Sequence, residues 1–206
     1  MGHSLREDNG QAQRRKGRRT FLLLFGLFAM PLLLVAAMYQ FDWRPGGASH
    51  GQLVTPPRVL QLTDQTNLQG KPFRVVQWKE KWSLVYIAGP DCAAVCQEQL
   101  HTLRQVHVSL GKEIERLQRV LLVPADPQGA ALVAIQQQYP DLFVLAGANV
   151  TSLASQFDLP GQPALSAGRV YLVDPLGNLM MSYPQGYEAK GLRKDLMRLL
   201  TYSWAG

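Results

Sequence analysis

Hydrophobic and polar positions divide this chain sharply. Phe21 to Met38 is an uninterrupted uncharged run, rich in Leu and Phe. With Thr20, Tyr39 and Phe41 it reaches the ~20 residues that a membrane span requires. Arg14, Arg15, Lys16, Arg18 and Arg19 precede it, and Tyr39, Phe41 and Trp43 follow as an interfacial aromatic belt. The positive-inside rule then places residues 1–19 in the cytoplasm as a basic tail and the carboxyl-terminal part outside. Residues 20–41 are expected to form one transmembrane helix, in which Pro31 is tolerable. A cleaved signal peptide is the competing reading, and Arg18-Arg19-Thr-Phe-Leu is similar to a twin-arginine export signal. The run exceeds the usual apolar region of such signals, and no clear Ala-x-Ala site follows it. A retained anchor is therefore favoured.

The pattern then changes to glycine and proline. Residues 42–57, with Pro45, Gly46, Gly47, Gly51, Pro56 and Pro57, show no apolar periodicity and predict a linker. Residues 58–206 are long enough for one domain with a proper core. Strands are expected over Val59–Leu62, Phe73–Trp78, Trp82–Ala88, Arg119–Pro124 and Leu142–Leu145. Arg169–Val173 and Leu179–Tyr183 predict a hairpin across Asp174-Pro-Leu-Gly177. Leu100, Leu103, Val106, Leu110, Ile114 and Leu117 recur at helical spacing, so one helix is expected from Ala93 to Leu117. Asp126-Pro-Gln-Gly leads into a helix through Leu132, Ile135 and Tyr139. Further helices are expected over Asn149–Phe157 and Glu188–Tyr202. Strands alternating with helices indicate an α/β domain with a mixed sheet.

Charge follows the same division. The chain is +6 overall, but residues 1–19 hold six Lys/Arg against Glu7 and Asp8. Residues 42–206 hold 15 Lys/Arg and 13 Asp/Glu, without a basic stripe interleaved with aromatics, so nucleic-acid binding is rejected. There is no Gly-x-Ser-x-Gly, no phosphate-binding glycine loop and no His-Glu-x-x-His.

The candidate chemistry is Cys92-Ala-Ala-Val-Cys96, the only two cysteines of 206 residues. They stand where a buried strand, broken by Gly89-Pro-Asp91, meets a helix. A helix N-terminus favours the thiolate, which is both nucleophile and soft-metal ligand. Free cysteine is also often an inert packing residue, but clustering favours a functional pair. A bridge closing so small a loop contributes little to stability, so it suits switching or binding better than bracing. Cys92 is expected to be the more exposed. This is the thioredoxin-like arrangement, with Cys-x3-Cys spacing. Of the four histidines, His3 is in the tail and His50 in the linker. His101, five residues after Cys96, lies off the cysteine's face of the first long helix, and His107 lies three turns along that helix. Each is read as solvated or capping and not as a ligand.

Tyr86-Ile-Ala-Gly-Pro-Asp-Cys92-Ala-Ala-Val-Cys96, Val120-Leu-Leu-Val-Pro-Ala-Asp-Pro127 and Tyr171-Leu-Val-Asp-Pro-Leu-Gly177 resemble the Sco/SenC family. These are membrane-anchored, thioredoxin-like assembly factors for cytochrome c oxidase. The resemblance covers residues 58–202 and the single anchor. It implies copper held by both cysteines and by a histidine five residues before the aromatic residue of Tyr-Leu-Val-Asp-Pro. Here that position is Ser166, and Ala93 and Gln97 replace the prolines usual in and after the cysteine motif.

Three readings follow from the resemblance. The first is a thiol–disulfide oxidoreductase, Cys92 attacking and Cys96 resolving, acting on a cytochrome c oxidase subunit or a copper chaperone. The second is a copper chaperone that uses Cys92 and Cys96 as metal ligands. The third is a non-catalytic assembly scaffold. All three imply a single-pass protein of a bacterial inner membrane, with the domain in the periplasm, where disulfides persist.

Overall fold

A computed structural model describes residues 4–41, 49–125 and 130–203, with side chains from residue 18 onward. Trp43, residues 42–48, Asp126 and the side chains of Arg14, Arg15 and Lys16 lie outside the described residues. The chain divides after Ala48 into two units.

The first unit is helix α1, Ser4–Gln40. Its Arg18–Gln40 stretch has a mean hydropathy of 2.6 over its most apolar window and is unburied. At 1.5 Å per residue, 23 residues are long enough to cross a hydrocarbon core of about 30 Å. The helix runs without a break into the residues expected to be a separate tail. The sequence from Ser4 to Thr20 has no proline to stop it.

The second unit begins inside the expected linker, which is a correction. Strand β1, Gln52–Val59, pairs antiparallel with a strand near the chain's end. It is almost wholly exposed, so no alternation marks it in the sequence. Its hold is long-range. The Asp195 carboxylate, 4% exposed, accepts the N–H groups of His50 at 2.8 Å and Gly51 at 2.9 Å. It also accepts the Tyr183 hydroxyl at 3.2 Å and pairs with His50 Nδ1 at 3.2 Å. Two glycines make this close approach feasible. A Cβ on Gly51 would meet the Tyr183 ring at 2.6 Å, and one on Gly191 would meet the His50 ring at 2.8 Å.

Strands β2 (Gln65–Thr66) and β3 (Pro72–Phe73) form a small separate hairpin. The expected strand over Phe73–Trp78 is instead helix α2, Val75–Glu80. Gln77 Oε1 reaches back to the Arg74 N–H at 2.8 Å, and Asp64 accepts the Val75 N–H at 2.8 Å. These two caps outweigh the β propensity of Val75-Val76. Trp78 is thereby turned inward, edge-on to Phe73.

Strand β4, Trp82–Ile87, is buried at every position. Helix α3, Ala94–Val108, is shorter than expected. It ends before Gly111, which adopts a left-handed φ of 59° and starts a 3₁₀ segment, Gly111–Arg116. Then come β5 (Leu117–Val123), α4 (Ala130–Gln138), β6 (Leu142–Ala146), α5 (Ala148–Ala154), β7 (Val170–Val173), β8 (Asn178–Tyr183) and α6 (Ala189–Tyr202). The sheet order is β1-β8-β7-β4-β5-β6. β4, β5 and β6 are mutually parallel; β7 and β8 form the antiparallel hairpin. Trp82, Leu84 and Tyr86 pack with α3, α4 and α6 on one face. Val85 and Ile87 pack with α2 and α5 on the other. Cover on both faces is why β4 reads as continuous apolar sequence. The architecture is thioredoxin-like: a mixed sheet flanked by helices.

Two polar groups are buried where sequence alone gave no reason for it. Arg119 of β5 is fully buried and pairs with Asp141 at 2.7 Å, its guanidinium 5.7 Å from the Tyr139 ring. His107, expected to be solvated or capping, does cap but is buried. Its Nε2 donates to Ile114 O at 3.0 Å and Leu117 O at 2.9 Å, which seals the turn between α3 and β5. Burial, with Arg119 nearby, holds His107 below its usual pKa despite those bonds and Asp141. A base depressed in the fold is neutral there, while the unfolded chain takes up a proton near pH 6.5. Its contribution is thus complete above about pH 6.5 and falls away below it. Urea midpoints at pH 7 and 5.5 should therefore diverge more for the wild type than for His107→Gln. Equal divergence would remove His107 as the cause.

Candidate functional site

The cysteines sit at the carboxyl-terminal end of β4. Gly89-Pro90-Asp91-Cys92 forms a turn, closed by Cys92 N–H to Gly89 O at 3.3 Å. Cys92 has φ +35°, a region that non-glycine residues seldom enter. The cap of α3 is Ala93, which has no side-chain oxygen to meet the first-turn N–H groups. Cys96 is the third residue of the helix. The two are joined in a disulfide, with Cα atoms 5.1 Å apart.

Exposure does not distinguish the two sulfurs. Cys92 is 2% exposed and Cys96 6%, against the expectation that Cys92 leads into solvent. Both belong to the apolar cluster with Tyr86, Ala88 and Leu100. A shallow cavity of about 340 Å³ opens beside them, walled by Tyr86, Asp91, Leu165, Ser166 and Gln185. Ser166, where the sequence resemblance implies a histidine, is thus brought to the cysteines. Its Oγ donates to Pro163 O at 3.3 Å. Gln97, where the sequence resemblance implies a proline, donates from Nε2 to Cys92 O at 3.3 Å.

The other histidines stand elsewhere. His50 is held on Asp195, His101 is exposed and bonded to Gln105, and His107 lies at the far end of α3. Among the described residues no group of three His, Cys, Asp or Glu converges. Besides Asp91 in the cavity wall, the ionisable groups of the apolar cluster around the cysteines are phenols. Burial raises the Tyr86 hydroxyl, and it pushes Tyr187, which accepts a 2.6 Å bond from Gln99, up to about 12. Neither serves as a base near neutrality. Sequence reading missed Gln185 and Gly168 as walls of this site. They arrive through the β7–β8 hairpin, and no motif marks them.

Solved structures with this fold include yeast Sco1 with copper bound, at 18% identity, over 71% of this chain and 95% of that one, with TM-score 0.60. Apo Sco1 from Thermus thermophilus matches at 21% identity, over 74% and 95%, with TM-score 0.56. BsSco, a member of the Sco family of cytochrome c oxidase assembly proteins in which a disulfide switch was identified, matches at 16%, over 74% and 99%, with TM-score 0.56. No curated protein matches the sequence. The family model described as transmembrane-like, thioredoxin-like, C-terminal domain matches residues 82–203, from the first residue of β4 to just past α6. With more than half its length inside that match, the chain belongs to the transmembrane-like, thioredoxin-like C-terminal domain family.

Proposed function

We propose that this protein is a membrane-anchored, Sco-like factor in cytochrome c oxidase assembly that works by thiol–disulfide exchange through Cys92 and Cys96. One observation carries the reading. The cysteines form a disulfide at the mouth of α3, and a hydroxyl and an amide stand opposite them in place of an imidazole. In the reduced protein the Cys92 thiolate attacks a partner disulfide, and the partner's leaving sulfur takes a proton. The Cys96 thiolate then attacks Cys92 in the mixed disulfide and releases the second partner thiol. Two electrons pass to the partner, and the chain is left with the bridge seen here. A dithiol donor of the same compartment re-reduces it. The partner is an oxidase subunit or a copper chaperone, and the domain faces an oxidising periplasm.

Copper, present in the yeast relative, does not fit these donors. Two sulfurs remain once the bridge is reduced, and a serine hydroxyl is a poor ligand for a soft ion. Cu(I) competition titration of the reduced protein should show weak, labile binding, and Ser166→His should tighten it by at least roughly tenfold. One copper held tightly by the wild type would favour the chaperone reading instead. For the topology, alkaline phosphatase fused after Gly206 should be active; an inactive fusion would overturn the periplasmic assignment.

A further inference from the structure

A second cavity, of about 550 Å³, lies on the α5 face of the sheet at the same end as the cysteines. β1 departs from β8 between Leu53 and Arg58, and the gap is walled by Leu53, Val54, Pro56, Leu159 and Pro160. Its polar lining is Gln52, Thr55, Arg58, Gln162 and Ser182. It contains no acidic residue.

Behind that lining is a buried cation. Arg169 is 5% exposed and makes no ion pair among the described residues. Its Nη1 donates to Gln162 Oε1 at 2.7 Å. Its Nη2 donates to Ser182 Oγ at 3.1 Å and to Gln52 Oε1. Its Nε has no partner. A buried guanidinium with only neutral partners is costly, because charge is removed from water without an opposite charge to replace it. The bonding also orients the lining. Arg169 occupies the oxygens of Gln52, Gln162 and Ser182, so the two amide –NH₂ groups and the hydroxyl hydrogen remain as donors. Among the described residues neither amide nitrogen has an acceptor. Donors polarised by a cation behind them, within apolar walls, match a negative oxygen head on an apolar body.

We propose that this cavity is a binding site for a small organic carboxylate. The head accepts from the Gln52 and Gln162 amides and the Ser182 hydroxyl, over the field of Arg169. The body packs on Leu53, Val54, Leu159 and Pro160. Arg58, whose Nη1 donates to Gln156 O and Asp158 O, adds a second positive charge at the rim. The site is separate from the disulfide chemistry and does not depend on it.

The test uses the full chain in an uncharged detergent, with benzoate as probe and benzamide as its neutral isostere, read by calorimetry. Benzoate should bind saturably, and benzamide roughly tenfold more weakly or worse, as expected for loss of a charge-assisted bond. Arg169→Met should abolish benzoate binding. Because that variant removes a buried anchor, Gln162→Glu provides the second arm. It places a carboxylate on Arg169 within the chain, so benzoate binding should vanish while the thermal midpoint rises. Benzamide binding as tightly as benzoate, the absence of saturable benzoate binding to the wild type, or unchanged binding by Gln162→Glu would each overturn the site.

Discussion

Cys96→Ser is expected to accumulate a covalent adduct with the physiological partner, and Cys92→Ser to accumulate none. The asymmetry arises at the start of α3. Ala93 supplies no capping oxygen, so the first-turn N–H groups are available to an anion. Cys92 precedes the helix, and its thiolate can take them. Cys96 lies inside the first turn and is fixed by the helix backbone. The Cys92 pKa should therefore fall below the unperturbed value of about 8.5. Once Cys92 has attacked, the mixed disulfide is resolved only by Cys96, so replacing Cys96 stops the sequence there. Non-reducing gels of membranes from the two single variants read this directly. Adducts of equal yield would reverse or abolish the assignment of roles. Oxidase assembly that is equal in wild type and in the double Ser variant would leave only the scaffold reading.

Asp141→Ala is expected to be among the most destabilising single changes in the domain. It leaves the fully buried Arg119 guanidinium without an anion. Breaking a buried pair from one side costs about 3–5 kcal/mol, and the half-exposed Asp141 points to the lower end of that range. For a domain of this size the thermal midpoint should fall by roughly 10 °C. Burial pushes the Asp141 carboxyl up, but Arg119 outweighs it and holds the pKa below the ordinary value. That contribution is thus present above about pH 4 and is lost as pH falls further. Adding Arg119→Met to Asp141→Ala should recover much of the loss, because methionine fills the volume without an unpaired charge. If the double variant is no more stable than Asp141→Ala alone, packing and not charge governs the site.

The elements legible in the sequence are those whose signal is local. β4 is a continuous apolar run, α3 has its periodic face, and Asp174 and Gly177 mark the β7–β8 turn. Asp174 Oδ1 accepts the Leu176 and Asn178 N–H groups at 2.9 and 2.8 Å, as a turn initiator does. The cysteine pair stood out by spacing and by what flanks it. The elements that were misread depend on partners far along the chain. β1 is an exposed edge held by Asp195 and β8, so its own residues carry no alternation. α2 is decided by the caps on Arg74 and Val75 against a β-branched pair. Arg119 lies inside an expected strand, but its burial follows from Asp141 and Tyr139, twenty or more residues away. The second wall of the cysteine site, with Gln185, depends on the hairpin's register, which single-residue chemistry does not encode.

The Asp195 clamp also has a mechanical consequence. Tension drawn along the chain from the α1 side enters the domain at His50 and Gly51, and both of their N–H groups end on one carboxylate. Beyond them, β1 meets β8 in two short paired stretches separated by the bulge. Rupture would thus begin with that carboxylate and proceed by peeling an edge strand, while the parallel centre that carries the cysteines stays intact. The disulfide site is therefore insulated from load applied along the chain from that side, with Asp195 as the link that bears it first.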